Sequence, residues 1–283
     1  MFNSVWAQQQ ELTGKPGMYK RNKVHTEETT SVLSAFKRGH FNGHFRYFFM
    51  STQNQKGLTD YYANAAGGGI RYETAGFHGF QFAFSSSYTF NIGSSDLGKT
   101  DPATGQKSRY EIGLFDVEDP RNKTDNDRLE ELFLKYSYKQ SFIAFGKQLI
   151  NTPFINLQDG RMRPTAVEGF WLEKNEFKKI KIEGGWLFAV SPRGTSRWFG
   201  IGESIGVYPA GVDITGATSQ YSSNIKSKGL LLLGIHFQTG KKITLHAWDL
   251  LAEEIFNTAL LQVDLLFPLN GQDQVFASTQ VIR

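Results

Sequence analysis

Apolar residues recur at every second position along most of this chain. In GHFNGHFRYFFM (39–50), Phe41, Phe45, Tyr47 and Phe49 fall on one side of an extended strand. His40, Asn42, His44 and Arg46 fall on the other. In HGFQFAFSSSYTF (78–90), Phe80, Phe82, Phe84, Tyr88 and Phe90 alternate with Gln81, Ala83, Ser85, Ser87 and Thr89. RLEELFLKYSY (128–138) sets Leu132, Leu134, Tyr136 and Tyr138 against Glu131, Phe133, Lys135 and Ser137. KIKIEGGWLFAV (179–190) sends Ile180, Ile182, Trp186, Phe188 and Val190 one way, Lys181 and Glu183 the other. Phenylalanine at alternate positions over such lengths suits a face solvated by hydrocarbon, because water would penalise it. With further segments at 61–75, 140–150, 166–173, 230–237, 243–250, 255–267 and 275–282, the period predicts about eleven strands. Each is near the ~10 residues that a tilted membrane strand requires. The predicted fold class is all-β: a transmembrane, antiparallel, up-and-down β-barrel.

The connections sort by side. Those near 76, 139, 175–178, 238–241 and 268–273 are all short, the last holding the hairpin signal Asn270-Gly271. Those on the other side (51–60, 91–127, 151–165 and 191–228) are long, apart from a short link at 251–254. Outer-membrane barrels show this asymmetry of short periplasmic turns and longer outer loops. Within the set, NTPFINLQDGRMRPT (151–165) cannot continue a strand: Pro153 and Pro164 remove ladder donors and Asp159-Gly160 signals a turn. It carries Asp159, Arg161 and Arg163, and is long enough to fold over the polar face as a charged constriction.

Composition narrows the picture modestly. The 283 residues include 24 Phe, 11 Tyr, 5 Trp, 29 Gly and no Cys, and the net charge of +4 is small and scattered. That gives no case for nucleic acid. No apolar run reaches the ~18 residues of a spanning helix, which does not bear on a strand-built membrane protein. MFNSVWAQQQ reads as the end of a secretory signal peptide, so residues 1–7 are expected to be its remnant, 8–39 a periplasmic lead-in and 40–283 the barrel. An odd strand count, and an end at Gln280-Val281-Ile282-Arg283 without a terminal aromatic, are those of a C-terminally truncated barrel.

Four segments carry a resemblance: FNGHFRYFFMST (41–52), GGGIRYETAGFHGFQFAF (67–84), FIAFGKQLINTPFINLQDGRMRPTAVEG (142–169) and KIEGGWLFAVSPRG (181–194). They resemble the OprD-type family of substrate-specific outer-membrane porins, in a form like that of Bacteroidetes-type bacteria. The third is the most specific. Gly146-Lys147-Gln148, Pro153, Asp159, Arg161, Pro164 and Gly169 follow the family's order of a Gly-(Arg/Lys)-Gln strand end, a Pro, an Asp-x-Arg-x-x-Pro loop and a Gly-bearing strand start. The resemblance spans about residues 40–283 and implies a monomeric pore of about eighteen strands, the final third of which is absent here. It further implies passive, selective passage of small hydrophilic solutes, often carboxylates or amino acids, with no cofactor.

The charged residues admit two readings. Arg46, Arg71, Lys135, Lys147 and Lys181, with Arg161 and Arg163, form a basic track in the manner of that family, handing a carboxylate along weak successive sites. Alternatively they are ordinary lumen residues paired with Glu73, Glu131, Glu183 and Asp159, and strand spacing leaves both open. An outer-membrane hydrolase is disfavoured: His40, His44, His78, His236 and His246 are dispersed, and neither G-x-S-x-G nor H-E-x-x-H occurs. Glu130 and Glu131 are expected on opposite faces of their strand. DVEDPRNKTDND (116–127) offers oxygen ligands, but its spacing does not match an EF-hand loop and no metal is expected. A secreted glycan-binding β-sandwich is the remaining rival, and it would stay soluble without detergent where a barrel would not.

Overall fold

A computed structural model describes residues 27–124, 126–157, 161–208, 215–217, 226–240, 242–269 and 274–283. The expected signal remnant at 1–7, most of the lead-in, Asp159 and the Asn270-Gly271 turn lie outside the described residues.

A short helix, α1 (Val32–Lys37), opens the described chain, its first turn capped by the Ser31 hydroxyl accepting from the Ser34 amide at 3.1 Å. The strands follow as β1 (His40–Thr52), β2 (Tyr61–Glu73), β3 (Phe80–Ser94), β4 (Asp127–Tyr138), β5 (Ser141–Gln148) and β6 (Ala166–Lys174). After β7 (Ile180–Ser191) come the two-residue β8 (Phe199–Gly200) and the one-turn helix α2 (Ile201–Ser204). β9 (Leu230–Thr239), β10 (Ile243–Ala252), β11 (Phe256–Pro268) and β12 (Gln274–Ile282) complete the set. Each strand pairs with its neighbour in sequence, except that β8 sits beside β7, off the path from β7 to β9. The eleven strands on that path are the ones that the alternation predicts. β8 falls in a stretch expected to be loop; it pairs with β7, and its Phe199 is buried at 2 % exposure. Tight turns close where Lys139 adopts a left-handed φ of 53° and, near residue 76, where His78 and Gly79 do so at 51° and 80°.

Two faces are distinct. On β1, Phe41, Phe45, Tyr47 and Phe49 are exposed while the intervening residues are half-buried, Phe45 reaching 78 %. On β3, Gln81, Ala83, Ser85, Ser87 and Thr89 are buried, so here the polar face is the covered one. This inversion of the soluble pattern is what a sheet with one face toward hydrocarbon requires. β4 departs from strict alternation. Arg128 and Glu130 are buried in one phase, Glu131, Phe133 and Lys135 in the other. Glu130 and Glu131, expected on opposite faces, are therefore both covered, at 4 % and 2 % exposure.

The chain divides into two compact units. The first comprises Met1–Phe133, Lys147–Val167 and Val190–Phe199; the second comprises Leu134–Gly146, Glu168–Ala189 and Gly200–Arg283. The core of the first is small: Tyr61, Ala63 and Ala65 of β2 pack with Leu97, Ile112, Leu114, Phe115 and Met162. Phe48, Met50 and Val117 flank them. The connection after β3, expected to be a polar outer loop, thus lays its few apolar side chains on the covered face of β1 and β2, partly through a 3-10 turn at Glu111–Leu114. Gly67 lets Met162 of the 151–165 connection and the neighbouring strand β3 come close. A Cβ there would sit 2.3 Å from the Tyr88 carbonyl oxygen and 3.1 Å from Met162 Cε.

In the second unit, Leu187, Leu230, Leu232, Trp248, Leu250, Ala252 and Leu260 are buried on one face. Leu231, Leu233, Ile235, Leu245, Leu251 and Leu261 are exposed on the other, so in this unit the covered face carries apolar side chains as well. Phe145 stacks on Phe170 at 4.4 Å and reaches Phe188 at 6.4 Å.

Candidate pore-lining site

Two buried arginines of the first unit hold three connections together through backbone carbonyls. Arg128, with a fully buried side chain, reaches out from the start of β4. Its Nη1 donates to the carbonyls of Pro192 at 3.1 Å, Ser191 at 3.4 Å and Thr195 at 3.4 Å, and to Ser191 Oγ at 3.2 Å. Its Nη2 donates to the Pro164 carbonyl and to Glu130 Oε1, the latter at 3.1 Å. Ser87 Oγ donates to the same Glu130 oxygen at 2.7 Å. Arg163, 1 % exposed, donates from Nη2 to the Phe115 carbonyl at 2.5 Å and from Nη1 to the Asn126 carbonyl at 3.2 Å. A planar fork with five donors can bridge several carbonyls that lysine's single ammonium could not.

Further ties close the assembly. The Val117 amide donates to the Gly194 carbonyl at 2.8 Å, and Asp116 accepts from the Ser196 amide at 3.2 Å and from its hydroxyl. Gly194 has φ +71°, and a Cβ there would stand 3.0 Å from the Gly113 carbonyl oxygen. Asp101 accepts from the Thr59 amide at 2.6 Å, the Thr104 amide at 2.8 Å and the Ala103 amide at 3.0 Å. These donors, the Thr59 amide foremost, hold its carboxyl well below the usual carboxylate range.

The expected constriction residues are distributed as follows. Arg161 is half-buried with φ +47°, and its Nη1 donates to the Tyr110 carbonyl at 2.7 Å, tying 151–165 to the connection after β3. A Cβ at Gly113 would lie 2.5 Å from that nitrogen, so a larger residue there would displace the guanidinium from this carbonyl. Met162 is in the core and Arg163 is the buried clamp just described.

The five track residues stand in different surroundings. In the first unit, Arg71 lies between Glu131 at 2.7 Å and Glu73 at 2.8 Å. Arg46 is half-buried, and its Nη1 has no hydrogen-bond partner among the described residues. Lys147 holds its ammonium 4.0 Å over the Trp198 ring, whose Nε1 donates to the Leu129 carbonyl at 3.0 Å. In the second unit, Lys135 is 3 % exposed, and Lys181 pairs with Glu183 at 3.0 Å and Glu173 at 3.4 Å. Arg71 and Lys181 thus have the carboxylate partners that the ion-pair reading names.

Sequence reasoning missed Arg128, Glu130, Asp116 and Trp198. The one signal available was a charge at a strand entrance, Arg128, two residues before a carboxylate on the same side. It also treated the histidines as dispersed, whereas His236 and His246 meet across neighbouring strands.

An antiparallel meander with an exposed apolar face, a polar covered face and long connections folded onto that face defines a protein of the outer-membrane β-barrel class. Solved structures agree in fold. OccK9 (OpdG) of Pseudomonas aeruginosa matches with a TM-score of 0.66 at 16 % identity, covering 88 % of this chain and 59 % of that one. OccAB1 of Acinetobacter baumannii matches with 0.63 at 12 %, covering 88 % and 53 %. Pseudomonas aeruginosa OpdK, solved with vanillate, matches with 0.62 at 15 %, covering 87 % and 57 %. The chain therefore spans between half and three-fifths of these relatives' lengths. No curated protein matches it. The family described as outer membrane porin, OprD family, matches residues 36–283, and the chain belongs to that family. Its members are proteins of the outer membrane.

Proposed function

We propose that this chain lines a water-filled channel for passive, selective diffusion of small hydrophilic solutes, carboxylates and amino acids among them. In this reading residues 40–283 are barrel wall, the protein works as a monomer, and transport involves no bond-making step and no cofactor. The observation that carries it is the anchoring of 151–165 over the polar face, by Met162 in the core and Arg163 on two carbonyls. A loop so fixed narrows a passage without closing it.

Asp159, Arg161 and Arg163 are assigned to the constriction. Arg163 sets the loop's position, Arg161 presents the charge and Asp159 partly offsets it. Arg46, Arg71, Lys135, Lys147 and Lys181 are assigned to the basic track. In a narrow, low-dielectric passage each charge acts more strongly on a solute than in open water. The vanillate of the OpdK structure is a carboxylate, which agrees with this solute class. Proteoliposomes of the complete barrel that carries this chain test the reading. Protein-dependent swelling should be faster in a small carboxylate than in a neutral solute of equal size, and the Arg161→Gln protein should lose that difference. Equal rates for both solutes in the unaltered protein would contradict it.

A further inference from the structure

The polar face of the second unit carries an arrangement that solute passage does not explain. His236 of β9 and His246 of β10 are direct partners in the antiparallel register, and their Nδ1 atoms stand 2.5 Å apart. The outer ring nitrogens each meet a carboxylate: His236 Nε2 lies 2.7 Å from Glu183 Oε1, and His246 Nε2 lies 3.1 Å from Asp264 Oδ2. An ionised carboxylate only accepts, so both Nε2 atoms carry the proton. Two neutral rings held this way aim their Nδ1 lone pairs at one another. That contact is repulsive unless a cation lies between them.

The surrounding charge favours one. Lys181 compensates Glu183 at 3.0 Å. Asp264 instead accepts from Gln262 Nε2 and Ser278 Oγ, both at 2.7 Å, and has no Lys or Arg partner among the described residues. The row of side chains therefore holds one carboxylate with no fixed cation. Carboxylate to ring N–H, with the second ring nitrogen free, is also how proteins orient histidines that ligate metals.

We propose that His236 and His246 form a two-histidine site for a divalent transition metal, with copper, nickel or zinc as the class that imidazole suits. No group of three or more His, Cys, Asp or Glu among the described residues has ligand geometry, so water completes the sphere. Metal–nitrogen bonds of about 2.0–2.1 Å need the Nδ1 atoms roughly 3 Å apart or more, so each ring turns from the head-on arrangement until the two lone pairs converge on the ion. The side chains retain 18 % and 23 % exposure, enough for water ligands and for entry.

Trp248, whose ring centroid lies 5.3 Å from that of His236, serves as a reporter. Cu²⁺ alone is added to tag-free, EDTA-treated, detergent-folded protein. Quenching should saturate near one equivalent and largely vanish in the Trp248→Phe protein. The paramagnetic resonance spectrum of the unaltered protein should show two nitrogen ligands. His236→Gln and His246→Gln should each weaken binding roughly tenfold or more, and Asp264→Asn should weaken it while leaving both nitrogens in the spectrum. Heat-modifiable gel mobility checks that each variant is folded. Undiminished quenching in the doubly substituted protein, a spectrum without two nitrogens, or no saturation below ~1 mM would overturn the site. The last result would leave a shared proton as the cation between the rings.

Discussion

Replacing Arg128 with Met should loosen the connections on the polar face while leaving the strands paired. The substitution keeps length and removes every donor, stranding Glu130 with Ser87 alone and taking this donor from the carbonyls of Pro164, Ser191 and Thr195, while Pro192 keeps the Thr195 hydroxyl. Removing one partner of a buried ion pair costs about 3–5 kcal/mol. Each stranded carbonyl adds up to about 1–3 kcal/mol only while it stays dry. Water reaches all three once the loops lift, so the loss is bounded near the first figure and appears as local opening. At about 1.4 kcal/mol per decade, that is at least a roughly hundredfold rise in hydrogen exchange. The amides to follow are Val117, bonded to Gly194, Arg193, bonded to Thr165, and Ser196, bonded to Asp116. Amides in the β1–β2 ladder serve as the internal reference. Combining Arg128→Met with Glu130→Gln should recover part of the loss, because the second change removes the stranded charge. Exchange at the three amides within a factor of about two of the unaltered protein would refute the clamp.

Asp101 fixes the connection after β3 in a pH-dependent way. Its folded pKa lies below its ordinary value of 3.8, so its contribution is complete above that value and is lost as pH falls through the lower, folded one. Exchange of the Thr59 and Thr104 amides should stay slow at pH 5 and rise only well below pH 3.8, whereas Asp101→Asn should raise it already at neutral pH; indifference to the substitution would count against the anchor. Cysteine at Phe45, 78 % exposed, should react with a lipid-resident probe, and cysteine at neighbouring His44 with a water-soluble one. Equal aqueous labelling at both positions would contradict the assignment of faces.

The strands were legible because period two is a local signal that hydrocarbon on one side makes unusually clean. Phe41, Phe45 and Phe80 through Phe90 announce their face without reference to anything distant. The folding of connections onto the other face was not legible beyond 151–165, where two prolines and a turn signal mark a loop. Leu97, Ile112, Leu114 and Phe115 lie in polar sequence with no period, and only their three-dimensional meeting with Ala63 and Ala65 makes a core. Arg163 was visible as a charge, but its partners are carbonyls, which no side-chain pattern reports. The break of phase between Glu130 and Glu131 is equally silent in sequence. The His236–His246 pairing was within reach: β9 and β10 are joined by a tight turn, and the two residues are equidistant from it.

The central claim is a channel narrowed by an inward-held, charged loop, and planar-bilayer recordings in a salt gradient test it most directly. The complete barrel that carries this chain is compared with its Arg161→Gln form and with its deletion of residues 155–162. The account predicts discrete conductance steps, a reversal potential displaced toward cations in Arg161→Gln, and larger steps in the deletion. An outward-lying loop would leave both quantities unchanged, and an unshifted reversal potential in a folded Arg161→Gln channel would contradict the account.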